Sequence, residues 1–280
     1  AHTQHIQIFA TVHTAFNHPV VTAKQLATLD QLSKGRLGLN VVAGWNKPEY
    51  DAFGVDLPAE HGARYAMAQE WFDYVQKLWR EDLPFDWQGD YYKGKGVYSL
   101  PHPAQSHLPI LNAAASEEGR AFAMRNADFL FPPVFDFDQA RATVEDINAG
   151  SAAVQRAVKV LTFATVVCRP TQKEADEALD YYANQHADWE AVDNLMTLQG
   201  LHAQSFTKEA LAMFRDRFAA GHGGFPLVGT PDHIADQLEQ MSDTGIAGTT
   251  LSFLDYAKEF PYFRQEVMPR LEARGLRHTP

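Results

Sequence analysis

Short runs of alternating apolar and polar residues recur along the chain, each followed by a longer stretch with apolar residues three and four apart. The first pattern has the period of a strand and the second that of a helix. His5–Thr11 opens the series, with Ile6, Ile8 and Ala10 alternating with Gln7, Phe9 and Thr11. Asn17-His18-Pro19 then predicts a helix start with proline in the first turn, and Lys34-Gly35 a stop just after Ser33. Arg36–Ala43 is the second strand. In Gly62–Trp79 the residues Tyr65, Ala68, Phe72, Val75 and Trp79 fall at spacings of 3, 4, 3 and 4, a single apolar stripe. Phe85–Leu100, full of Gly, Tyr and Asp, reads as a loop or small hairpin.

The pattern continues with a third strand at Pro109–Ala115 and a helix at Ser116–Asn126. A fourth strand at Asp128–Val134 precedes a helix near Asp138–Ala149. Val158–Cys168 is the fifth strand. A helical insertion begins at Thr171–Gln185 and reaches about Ala220 in two or three pieces, ahead of a flexible break at Gly221–Gly224. Thr230–Thr244 is a helix, Gly248–Leu254 the sixth strand and Phe260–Arg274 a closing helix.

Strands alternating with helices predict a parallel α/β fold of the TIM (β/α)8 barrel type, as one domain over residues 1–280. The pattern supplies six β/α units where a closed barrel needs eight. The first two units are expected to be missing from the front, and the helical insertion, about 172–220, to follow the penultimate strand.

The 280 residues are 45% apolar, enough for one large core, and the 21% charged and 12% aromatic shares are those of a folded soluble protein. A formal net charge of −11 disfavours nucleic acid as a partner. No apolar run approaches the roughly 20 residues a membrane helix needs, and no secretory signal opens the chain. A cytoplasmic location is the expectation. The lone Cys168 can form no internal disulfide, and its apolar setting predicts a core position.

In parallel β/α barrels, chemistry gathers at the C-terminal strand ends. There the sequence offers Thr11, Asn40, Trp45, Glu49, Arg64, Tyr65 and Ser116. Each has a plain structural reading. Thr11 suits a strand, Trp45 a core, and Ser116 the cap of a helix beginning at Glu117. Glu49 and Arg64 suit a solvated surface. Asn40 interrupts the apolar run Leu37–Val42 and must find partners, because an unpaired buried amide costs about 1–3 kcal/mol. As a set they suggest more. Arg64 and Ser116 sit at helix N-termini, where free N–H groups and the helix dipole favour a phosphate. Tyr65 and Trp45 add aromatic faces beside it. This is a cradle suited to a phosphorylated aromatic cofactor such as FMN.

Metal chemistry finds little support. His13 and His18 straddle a loop, and His102, His107, His202 and His222 are scattered. No GxSxG, GxGxxG or P-loop pattern occurs, and Gly223-Gly224-Phe225-Pro226 reads as a hinge or linker.

Thr28-Leu-Asp-Gln-Leu-Ser-Lys-Gly-Arg36 runs into Leu37-Gly-Leu-Asn-Val-Val-Ala-Gly-Trp45, then Pro48-Glu-Tyr50 and Phe53-Gly54. This segment resembles the bacterial luciferase-like flavin monooxygenases, in particular the branch acting on pyrimidines, dibenzothiophene sulfone and dimethyl sulfone. The likeness extends through Arg64-Tyr65, Gly89-Asp90-Tyr91-Tyr92, Pro103-Ala-Gln105, Pro109–Gly119, Val228-Gly-Thr-Pro231 and Gly245–Phe253. The resemblance implies that Asn40, Glu49, Arg64, Tyr65 and Ser116 hold FMN. It further implies that Thr11, Asn40 and Trp45 flank the flavin where oxygen reacts. The implied enzyme is a monooxygenase taking reduced FMN from a separate flavin reductase, and using O2 to oxidise a small sulfur- or nitrogen-containing molecule. A homodimer or higher homo-oligomer is expected. The competing expectations are a deazaflavin-dependent oxidoreductase of the same fold, and a truncated, non-catalytic flavin-binding homologue.

Overall fold

A computed structural model describes residues 2–58, 60–114, 116–201 and 207–278. The chain divides into two compact units, residues 1–130 with 150–158, and residues 131–149 with 159–280.

The first unit runs β1 (Ile8–His13), α1 (Pro19–Ser33), β2 (Leu37–Val42), α2 (Lys47–Phe53), α3 (His61–Arg80), β3 (Phe85–Gln88), β4 (Lys93–Val97), β5 (Ile110–Asn112), α4 (Glu117–Asn126) and β6 (Phe129–Leu130). Strands β1, β2, β5 and β6 are parallel neighbours in that order. β3 and β4 form the small antiparallel hairpin expected in Phe85–Leu100. α1 starts where the sequence places it, with His18 Nδ1 accepting from Val20 N at 3.3 Å and Pro19 in the first turn. It ends at Lys34, in the left-handed region at φ 59°. α3 buries Ala68, Trp71, Phe72, Tyr74, Val75 and Leu78. The indoles of Trp71 and Trp79 reach back to Asn17 O at 2.7 Å and Ala23 O at 3.0 Å, which fixes α3 against α1. Buried Asp30 of α1 accepts from Gln105 N and Nε2 at 2.9 and 2.7 Å, anchoring the loop that leads into β5.

Glu70 of α3 holds the hairpin. Its carboxylate accepts from Trp87 Nε1 and from the backbone N–H groups of Asp90, Tyr91 and Tyr92, at 2.9 to 3.1 Å. Burial pushes its pKa up, but these hydrogen bonds outweigh burial and the net displacement is downward. Gly89 makes the approach possible, since a Cβ there would lie 1.9 Å from Glu70 Oε1.

The second unit holds α5 (Phe137–Ala153, whose last residues fall in the first unit), β7 (Lys159–Cys168), α6 (Gln172–Asp180), a π-helical turn (Tyr181–Gln185), α7 (Trp189–Leu198), α8 (Lys208–Gly221), β8 (Phe225–Gly229), α9 (Pro231–Asp243), β9 (Gly248–Ser252), α10 (Tyr256–Glu266) and α11 (Met268–Ala273). β7 lies between β8 and β9, both parallel to it. α7 and α8 close their own small core of Val192, Met196, Phe214 and Phe218. Cys168 is buried as expected, and burial pushes its thiol up to about 11.

Several boundaries depart from the sequence reading. The first strand is Ile8–His13 rather than His5–Thr11, because pairing with β2 fixes the register, and Ile6 is left 59% exposed. Thr11 therefore lies inside the strand and not at its end. The third and fourth strands shrink to Ile110–Asn112 and Phe129–Leu130. Ala115 of the expected third strand and His202 lie outside the described residues. Glu49 does not lie at a strand end but in the first turn of α2. Phe225 and Pro226, expected in a hinge, open the strand Phe225–Gly229, so two strands follow the helical insertion rather than one. The closing helix Phe260–Arg274 is two helices, broken before Pro269, which has no N–H to continue the ladder.

Candidate functional site

The candidate residues all belong to the first unit. β1 and β2 run parallel with Thr11 opposite Asn40, and Asn40 Nδ2 donates to Thr11 Oγ1 at 3.2 Å. The other end of the amide, Asn40 Oδ1, is buried without a hydrogen-bond partner. A buried acceptor left in that state costs about 1–3 kcal/mol, so Asn40 Oδ1 would gain from an added donor.

After β2 the chain turns sharply. Gly44 has φ +107°, and a Cβ there would lie 1.6 Å from Tyr50 Oη. Only glycine combines that backbone with that approach. Buried Tyr50 donates its hydroxyl to Ala43 O at 2.9 Å, pinning the turn from below. The turn leaves the Trp45 ring 45% exposed and Glu49 exposed at the start of α2. Burial pushes the Tyr50 hydroxyl up, with Arg64 pulling it down and Glu49 adding to the rise. Glu49 and Arg64 thus act on one buried phenol from two different helices.

Arg64 closes the first turn of α3 and Tyr65 follows it, and Arg64 Nε donates to Pro58 O. Tyr65 is half-buried. Its hydroxyl is pushed up chiefly by burial, then by Glu118, with Arg64 opposing. A Cβ on Gly119 would lie 2.4 Å from Tyr65 Oη and 2.4 Å from Ala114 Cβ. The Tyr65 hydroxyl therefore rests on the first turn of α4. Ser116 caps that helix, its Oγ accepting from Gly119 N at 3.2 Å. Glu117 and Glu118 complement the dipole at the same helix end.

The structure joins Thr11 to Asn40 and Tyr65 to the helix that Ser116 caps; no contact between Glu49 and Arg64 is seen among the described residues. Trp45 follows in the turn after β2 and makes no hydrogen bond or ring contact among the described residues.

The family described as luciferase-like monooxygenase matches residues 1–248. The chain belongs to that family. Among its relatives, the FMNH2-dependent dimethylsulfone monooxygenase of Pseudomonas fluorescens (strain Pf0-1) is 32% identical over 98% of this chain and 77% of its own. Pyrimidine monooxygenase RutA of Allorhizobium ampelinum (strain ATCC BAA-846 / DSM 112012 / S4) is 28% identical over 98% of this chain and 76% of its own. The crystal structure of DmoA from Hyphomicrobium sulfonivorans superposes with a TM-score of 0.86 and 26% identity, over 98% of this chain and 69% of that one. These likenesses agree with an α/β fold of the TIM-barrel kind.

Within this luciferase-like chain, sequence reasoning missed three residues at the site. Asn112, at the end of β5, donates Nδ2 to Val41 O at 2.8 Å and keeps a buried, unpartnered Oδ1. It interrupts an apolar strand just as Asn40 does, so the same signal could have found it. Gly119 acts only through the room it leaves for Tyr65, which no pattern announces. His13 was weighed only as a metal ligand, yet it lies two residues beyond Thr11 in β1. A cavity of about 240 Å³ in the same unit is lined by Trp79, Arg80, His102, Gln105 and Ile110, so it reaches the opposite end of β5 from Asn112.

Proposed function

We propose that this chain is an FMN-dependent monooxygenase that uses reduced FMN and O2 to oxidise a small sulfur- or nitrogen-containing molecule. Membership of the luciferase-like monooxygenase family, and relatives named for FMNH2, dimethylsulfone and pyrimidine, support the reading. The observation that carries it is the Thr11–Asn40 pair, with one amide end engaged and the other buried and unpartnered.

The residues present fit an FMN. Arg64, Tyr65 and the first turn of α4 behind Ser116 would hold the phosphate, by charge, a hydroxyl and main-chain N–H groups. Asn40 and Glu49 would hold the remainder, with Asn40 Oδ1 accepting from a ring N–H. Reduced FMN supplies the electrons that activate O2, so that one oxygen atom enters the substrate and the other leaves as water. Thr11 and Asn40 then act as dipoles at the edge where negative charge gathers on oxygen. Trp45 covers that edge and keeps water from it.

A separate reductase supplies the reduced FMN, and the working protein is a homo-oligomer acting in the cytoplasm. No helix among the described residues is long and apolar enough to cross a membrane. The test is anaerobic loading with reduced FMN, followed by O2 and a panel of sulfones, sulfonates and pyrimidines. Oxygenated product from at least one member is the expected result. Loss of all reduced FMN to hydrogen peroxide, whatever compound is present, refutes the proposal.

A further inference from the structure

His13 has no part in holding the flavin as assigned above. Its Nδ1 is buried and has no hydrogen-bond partner. The ring stacks on Phe16 at 5.4 Å with an interplanar angle of 17°. Phe16 in turn stacks on Phe53 at 4.7 Å and 26°, and leans on buried Tyr50 at 4.5 Å. The backbone is held as well, because Asn17 Nδ2 donates to His13 O at 2.9 Å.

The strand geometry gives the imidazole a direction. Residues i and i+2 of a strand share a face, so His13 stands on the face that carries Thr11, about 6.6 Å nearer the C-terminal end of β1. That face holds two buried, unpartnered polar atoms, Asn40 Oδ1 and His13 Nδ1. Phe53, at the other end of the aromatic stack, is 69% exposed. An imidazole N–H linked through the Phe16 ring to the exposed Phe53 suits a ligand with one polar oxygen and an apolar or flat remainder.

We propose that His13 orients the organic substrate, its Nδ1–H donating to a sulfone or ring-carbonyl oxygen while Phe16 and Phe53 cover the rest of the molecule. This rests on the FMN-monooxygenase reading and adds a residue to it. His13 contacts the substrate and leaves the flavin to the residues named above.

Three variants separate the nitrogen from the ring. His13→Phe keeps the stack and loses both nitrogens. His13→Asn restores an amide N–H near the Nδ1 position, and His13→Gln places it near Nε2. Flavin fluorescence measures FMN affinity. NMR saturation transfer on the FMN-loaded protein measures the affinity of two probes, dimethylsulfone and uracil. The yield of oxygenated product per reduced FMN consumed measures coupling. The expected result is FMN affinity within about twofold of wild type in all three variants. Probe affinity and coupling fall about tenfold or more in His13→Phe and His13→Gln, the scale of one lost hydrogen bond to a buried partner, and largely return in His13→Asn. A His13→Phe protein that binds and oxygenates like wild type overturns the proposal. So does a loss of FMN affinity parallel to the loss of probe affinity, or a wild-type protein that binds FMN but neither probe. A wild-type protein that binds no FMN overturns the functional reading first, and the role of His13 with it.

Discussion

Asn40 Nδ2 donates to Thr11 Oγ1 at 3.2 Å across two parallel strands whose register sets the two residues side by side. The pair uses the Nδ2 end of the Asn40 amide and leaves the buried Oδ1 end unpartnered. Thr11→Val removes the acceptor and leaves both amide ends unpartnered. We expect a loss of about 1 kcal/mol, read as a fall of roughly 2–4 °C in melting temperature. Thr11→Ser should keep both stability and product yield. Scanning fluorimetry beside a product assay checks the prediction, and equal behaviour of the two variants would count against it.

The contact between Tyr65 and Gly119 makes a sharper case. Gly119→Ala places a Cβ 2.4 Å from both Tyr65 Oη and Ala114 Cβ; Ala114 Cβ is fixed to its backbone, so the tip of the Tyr65 side chain is what moves. Tyr65 must leave the first turn of α4. FMN affinity should fall about tenfold, the loss of one good hydrogen bond, and Tyr65→Phe should lose a similar amount. In the double variant the two losses should not add, because both remove the same hydroxyl from the same place.

Gly44 is a test of the fold beneath the site. A side chain there meets a left-handed backbone at φ +107° and the Tyr50 hydroxyl at 1.6 Å. Gly44→Ala should cost about 2–5 kcal/mol, strain and overpacking together. Gly44→Ala combined with Tyr50→Phe should recover part of that loss in a urea titration, because the oxygen that clashes is gone.

Much of this was legible in the chain. The helix stripe of Gly62–Trp79 and the start at His18-Pro19 needed only local rules, and both appear where the period puts them. The strand ends did not follow from local rules. Alternation runs on through Ile6, and only pairing with β2 decides that Ile8 begins the strand. β8 was hidden by its own punctuation, Gly223, Gly224 and Pro226. Among the described residues of the second unit it pairs only with β7, and a strand paired on one side tolerates a residue without an N–H. At the site, polar residues inside apolar strands were readable, which is how Asn40 was found and Asn112 could have been. Gly119 and His13 were not readable, because their roles come from which ring or hydroxyl lies against them in space.

Glu70 gives a pH prediction with a definite sign. Its folded pKa is displaced below the ordinary carboxylate value, so the ionised form is the one the fold favours. Its contribution to stability is fully present above the unfolded pKa and disappears as pH falls through the lower folded value. Hairpin stability should thus be flat near neutrality and decline in acid. Glu70→Gln should flatten the acid limb and lower the plateau. Melting temperatures of both proteins across acid pH measure the effect, and parallel curves would contradict it.

The phosphate cradle is the central claim, and comparing FMN with riboflavin tests it most directly, since the two differ only by the phosphate. Reduced FMN should bind the wild-type protein at least about tenfold more tightly than reduced riboflavin, as expected for a charge-assisted anion site. Arg64→Ala should bring the two affinities together by weakening FMN alone. Equal affinities in the wild-type protein, or an Arg64→Ala protein that keeps the full preference for FMN, would contradict the account.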